Sequence, residues 1–83
     1  MYTNTTYVSQ LLISACKRSG VYQKEIALKL NVTNQFVCNW INSRSYPPPK
    51  YYKEISRLLG LNKDALVQAR LKDFEMSLKA ESR

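Results

Sequence analysis

Two short amphipathic runs, joined by a turn of a few residues, constrain this chain more than anything else in it. They lie between Gln23 and Ser43, in QKEIALKLNVTNQFVCNWINS. In the first run Ile26, Ala27 and Leu30 fall at i, i+1 and i+4. In the second, Val37, Trp40 and Ile41 fall at i, i+3 and i+4. Each pattern gives a helix one apolar face to bury. Asn31-Val32-Thr33-Asn34 leaves room only for a tight turn between them. Asparagine enters the left-handed region at low cost, so Asn31 can end the first helix. Thr33 is a good N-cap for the second. With a small Ala27 where the two helices cross, the segment reads as a helix-turn-helix.

The same residues carry a resemblance. The segment resembles the helix-turn-helix of the lambda-repressor and Cro family of phage and bacterial regulators. Gln23 opens the first helix and Ala27 sits at the crossing. Leu30 precedes the turn, Val32 and Thr33 follow it, and Val37 and Trp40 anchor the second helix. Two positions depart from the family pattern. Asn31 stands where glycine is usual, and Asn42-Ser43-Arg44 replaces a glycine-containing exit. The resemblance is close over residues 23–43 and extends loosely, through the helical layout, to about residue 60. It implies an all-α domain of four to five helices whose second motif helix enters the major groove of double-stranded DNA. It also implies a dimer on an inverted repeat.

Charge agrees with a polyanionic partner. The chain of 83 residues has a formal charge of +7. Residues 1–60 hold eight basic and two acidic residues, whereas residues 61–83 hold five and four. The excess therefore sits on the part that contains the motif. Cys16 and Cys38 are the only cysteines and there is no histidine, so a Cys/His zinc site is excluded and no metal is expected. Both read as reduced thiols, which fits a cytoplasmic protein. Leu11-Leu12-Ile13 is far too short an apolar run for a membrane span, and the N-terminus has no basic leader region. No cofactor and no small-molecule ligand are expected.

Taken in order, residues 1–4 should be frayed, and Thr5 or Thr6 caps a first helix that buries Val8, Leu11, Leu12 and Ala15 and ends at Gly20. In the recognition helix, expected over about Asn34 to Asn42, the face opposite the apolar one holds Asn34, Gln35, Cys38, Asn39 and Asn42. That face is almost all carboxamide and has no acidic residue. Asn and Gln bond bidentately to adenine N6 and N7, so these five are the expected base-contacting residues, with Cys38 against a thymine methyl. Contacts to the DNA backbone are expected from Gln23, Lys24, Thr33, Phe36, Arg44, Tyr46 and Lys50. In the family the Gln at the position of Gln23 clamps a phosphate. Phe36 either lies along the sugar-phosphate wall or packs under the following loop. Pro47-Pro48-Pro49 stops any helix and stiffens a spacer that carries Arg44, Tyr46 and Lys50.

A fourth helix from Pro49 or Lys50 to Gly60 should bury Tyr52, Ile55, Leu58 and Leu59, closing a DNA-binding domain over residues 1–61. Residues 62–80 lack Gly and Pro and form a long C-terminal helix, with Leu61, Ala65 and Leu66 docking and Ala80 to Arg83 as a disordered tail. Val67, Leu71, Phe74 and Leu78 recur at spacings of 4, 3 and 4. Such a stripe pairs with itself in a homodimer or folds back on the same core.

The leading functional expectation is a non-catalytic, sequence-specific regulator of transcription. The alternative is an antitoxin or antirepressor type of interaction module that holds a different protein on its C-terminal helix. Nothing in the residues suggests an enzyme: there is no histidine, no Gly-rich phosphate loop and no serine in a nucleophile context.

Overall fold

The helix boundaries follow from local chemistry at their ends. In a computed structural model, residues 5–81 are described, with side chains to residue 77. Five helices form: α1 (Tyr7–Ser19), α2 (Gln23–Leu30), α3 (Asn34–Ile41), α4 (Tyr52–Leu59) and α5 (Ala65–Glu81). A single 3₁₀ turn, Pro49–Tyr51, leads into α4, and no strand occurs among the described residues. The fold is all-α, as the sequence leads one to expect. Residues 1–4, expected to fray, lie outside the described residues.

Thr6 is the N-cap of α1, its Oγ1 accepting from the Ser9 N–H at 3.0 Å. Gly20 closes the helix at φ 73°, its N–H reaching the Cys16 carbonyl at 2.9 Å. Ahead of α2 the Tyr22 N–H donates to Glu25 Oε1 at 2.8 Å, which satisfies a backbone donor at the helix entry. Asn31 takes φ 58°, ψ 45° after α2. Its N–H goes to the Leu28 carbonyl and that of Val32 to the Ala27 carbonyl, a Schellman closure with asparagine in the glycine role. Thr33 then caps α3, accepting from the Phe36 N–H at 3.1 Å.

The exit of α3 repeats the device with a less permissive residue. Ser43 sits at φ 62°, its N–H donating to the Trp40 carbonyl and that of Arg44 to the Asn39 carbonyl. The glycine expected at such an exit is therefore replaced in place, and the turn still closes. Ser43 Oγ accepts from the Thr6 N–H at 3.0 Å, a contact glycine could not make.

One core collects residues from every helix. Val8, Leu12 and Ala15 come from α1, Ile26, Ala27 and Leu30 from α2, and Val37 and Trp40 from α3. Ile55 and Leu59 come from α4, and Leu66 and Ala69 from α5. Leu11, Tyr52 and Leu58, expected inside, are only partly buried against this cluster. Trp40 is its largest fully buried side chain. The stiff loop after α3 is anchored by a fully buried Pro47.

The C-terminal helix departs from a simple choice between projecting and folding back. It runs back along α1, so that Tyr7 lies beside Lys72 and Asp73. The face it buries is Leu66, Ala69 and Asp73, at i, i+3 and i+7. The apolar stripe lies on a different face and stays in solvent: Val67, Leu71 and Phe74 are 42%, 51% and 53% exposed, and Met76 extends the patch at 52%. The Leu78 side chain lies outside the described residues. The helix continues to Glu81, so Ala80 and Glu81, expected in a tail, are helical. Because Leu66 and Ala69 belong to the common core, the first half of α5 is packed on α1–α4.

Candidate nucleic-acid interface

The turn chemistry around Asn31 and Thr33 fixes how α3 is presented. With Val37 and Trp40 fully buried, the helix cannot roll without opening the core, and its opposite face is held outward. Asn34, Gln35 and Asn42 are exposed there, and Cys38 and Asn39 are half-buried beside them. The five expected base-contacting residues thus share one face.

Their side chains are ordered by one another. Gln35 Nε2 donates to Asn39 Oδ1 at 3.0 Å. Asn42 Nδ2 donates to Cys38 Sγ at 3.1 Å. Gln23, at the start of α2, donates through Nε2 to Asn34 Oδ1 at 3.2 Å, which ties the first turn of α2 to the first turn of α3. Each contact fixes a rotamer on an otherwise mobile surface chain and lowers the entropy lost when a partner is bound.

Of the residues expected along a DNA backbone, Lys24, Thr33, Arg44 and Lys50 are exposed, and Gln23 is partly exposed. The Lys50 ammonium lies 5.2 Å from the centroid of the Tyr51 ring. Phe36, partly exposed, packs edge-on against Trp40 of the same helix, with ring centroids 5.2 Å apart and an interplanar angle of 62°.

Tyr46 is placed differently from the expectation. Its half-buried ring lies under the Arg70 guanidinium at 3.8 Å, turning it toward α5 rather than leaving it free on the loop surface. Burial, and after it the negative charge of Asp73, push the Tyr46 hydroxyl pKa up, with Arg70 opposing. The reason is the buried Pro47 next to it, which pulls this part of the loop inward.

Over residues 5–60 exposed cations far outnumber acidic groups, of which Glu25 is exposed and Glu54 partly so. Lys17, Arg18, Lys24, Lys29, Arg44, Lys50, Lys53 and Arg57 are all exposed. Arg57 meets Glu54 at 3.6 Å, a surface i,i+3 pair that leaves the local field little changed. The Cys16 thiol, half-buried in α1, has its pKa raised by burial, which makes it a poor nucleophile.

Sequence reasoning missed Asp73. This buried carboxylate, 8% exposed, caps the N-terminus of α1 and stands beside Tyr46. The available signal was an acidic residue on the same helical face as Leu66 and Ala69. It also missed the links from α1 to the end of α3, where Ser9 Oγ donates to the Ile41 carbonyl and Ser43 Oγ accepts from Thr6.

Compared with protein-family models, with curated proteins and with solved structures, the chain matches none of them. No described helix is long and apolar enough to cross a membrane. The arrangement itself offers an acid-free helix face of hydrogen-bonding amides on a chain that also exposes many cations. A face of this kind can enter a groove about 12 Å wide and meet base edges while lysines and arginines meet phosphates.

Proposed function

We propose that the chain is a sequence-specific, double-stranded DNA-binding regulator of transcription, of the repressor and Cro kind, without catalysis and acting in the cytoplasm of its host. The observation that carries this reading is the outer face of α3. It presents Asn34, Gln35, Cys38, Asn39 and Asn42 together on a helix whose other side is locked into the core. A merely solvated helix face needs polarity, but it has no need to exclude Lys and Glu or to hold its amides in mutual hydrogen bonds.

In this reading Lys24, Arg44 and Lys50 supply affinity by releasing counterions from phosphates, and the amides supply the preference among sequences. Gln23 both steadies Asn34 and offers an amide at the edge of the helix pair. Two copies, joined through Val67, Leu71, Phe74 and Leu78, would set their α3 helices about 34 Å apart in successive major grooves.

The exposed patch on α5 also favours a second reading, in which it holds a different protein, as an antitoxin or antirepressor would. The two differ in what the patch meets. Sedimentation of the purified chain at rising concentration separates them: self-association supports the homodimer, and a persistent monomer moves the weight to a second protein.

Amide chemical shifts recorded during titration with a mixed-sequence duplex test the interface. The proposal expects the changes to centre on the first turn of α2, on α3 and on residues 42–50. Changes confined to α5, or none at low salt, would contradict it.

A further inference from the structure

The Gln35–Asn39 contact carries an inference beyond DNA binding as such, and it rests on the reading just proposed. These two residues lie one turn apart on α3, and the Gln35 amide donates to Asn39 Oδ1 at 3.0 Å. That bond uses one hydrogen of Gln35 Nε2 and one lone pair of Asn39. What remains for a partner is the Gln35 Oε1 acceptor with the second Nε2 hydrogen, and the Asn39 Nδ2 donors with the second lone pair of Oδ1, so the pair offers both an acceptor and donors. Exchanging the oxygen and nitrogen of both amides reverses the internal bond but still leaves the pair both an acceptor and donors.

We infer that Gln35 and Asn39 act as a single recognition unit that reads one adenine, rather than as two separate base contacts. Adenine offers in the major groove an acceptor at N7 beside a donor at N6, the complement of the pair's free groups. Guanine offers two acceptors, N7 and O6, which can take the pair's donors but leave its Gln35 Oε1 acceptor without a partner. The internal bond also keeps each amide from turning to a different base, because doing so would leave its neighbour's group unpaired in a water-poor groove. Asn34 and Asn42 are bonded elsewhere, to Gln23 and Cys38, so neither competes for this pair.

The unit has a signature in binding data. After selection of a site by the wild-type chain from a randomised duplex library, Gln35→Ala and Asn39→Ala should each relax the same A·T position. Each should lose about tenfold to a hundredfold in discrimination there. The double variant should lose no more than either single one. A second measurement needs no variant: replacing the adenine at that position by 7-deazaadenine, which lacks the N7 acceptor, should weaken wild-type binding by a similar factor.

Relaxation at two different base pairs, with factors that multiply in the double variant, would overturn the unit while leaving the DNA-binding reading standing. So would a selected G·C at the shared position, or indifference to 7-deazaadenine. A library from which the wild type selects nothing would overturn both.

Discussion

Asp73 on α5 and Tyr7 at the start of α1, 66 residues apart, are joined by a backbone N–H donated to a buried carboxylate oxygen at 2.8 Å. The other oxygen takes the Val8 N–H at 3.1 Å. A helix N-terminus has free N–H groups and a partial positive charge, and this carboxylate meets both. The C-terminal helix is thus fastened to the fold by a polar clasp as well as by Leu66 and Ala69. The same carboxylate stands beside Tyr46, whose ring lies under Arg70.

Asp73→Ala should therefore destabilise the fold by about 2–3 kcal/mol, since it leaves one buried and one part-buried N–H without acceptors. Asp73→Asn should recover part of the loss through its remaining oxygen. Urea unfolding followed by circular dichroism measures both. A change below about 0.5 kcal/mol for the alanine variant would mean that the clasp contributes nothing net.

The two faces of α5 should respond differently. Leu66→Ala empties a fully buried position and should cost about 2–5 kcal/mol. Leu71→Glu and Phe74→Glu change half-exposed positions and should leave the monomer's stability within about 0.5 kcal/mol. In a homodimer the same glutamates would place like charges in an apolar seam, so sedimentation equilibrium should show the dimer lost. Self-association unchanged in both variants would rule out this stripe as the contact.

At the turn, Asn31→Ala should cost about 1 kcal/mol, because alanine meets the left-handed conformation less easily than asparagine. Asn31→Gly should be close to neutral, its easier backbone offset by a freer unfolded chain. Ser43→Gly should not be neutral, although Ser43 has the same backbone sign, because the acceptor for the Thr6 N–H goes with the side chain. Thermal melts of the three variants in parallel give the ordering.

Stability should fall at alkaline pH. The Cys16 thiol and the Tyr46 and Tyr52 hydroxyls all have pKa values raised by burial, from ordinary values near 9 and 10. The folded chain then holds protons that the unfolded chain gives up, so their contribution is present below pH about 9 and is lost as pH rises through their folded values. Urea midpoints at pH 8 and at pH 10.5 should differ, and less so in Cys16→Ala combined with Tyr46→Phe.

Much of the fold was legible because its boundaries are written locally. Gly20, Asn31, Thr33 and Gly60 each act through bonds within a few residues, as expected, and of the two threonines that could cap α1 it is Thr6 that does so. Which face of α3 turns outward was legible for the same reason, since Val37 and Trp40 fix which way it points. What escaped were relationships across the chain. Periodicity in α5 singles out its most apolar stripe, yet the face that packs is the one with a small Ala69 to admit α1 and an Asp73 to cap it. Nothing local to Tyr46 in the sequence reveals that Arg70 and Asp73 stand beside it.

The reading as a whole turns on sequence preference. Selection of wild-type chain on a randomised duplex library at near-physiological salt measures it directly. The expected result is an inverted repeat with A·T-containing half-sites whose centres lie about one helical turn apart. Lys24→Ala or Arg44→Ala should then weaken binding evenly across sequences and lower the salt slope by about 1 each. A library that stays flat, with binding that only follows salt, would contradict the account and leave α5 as the surface to pursue.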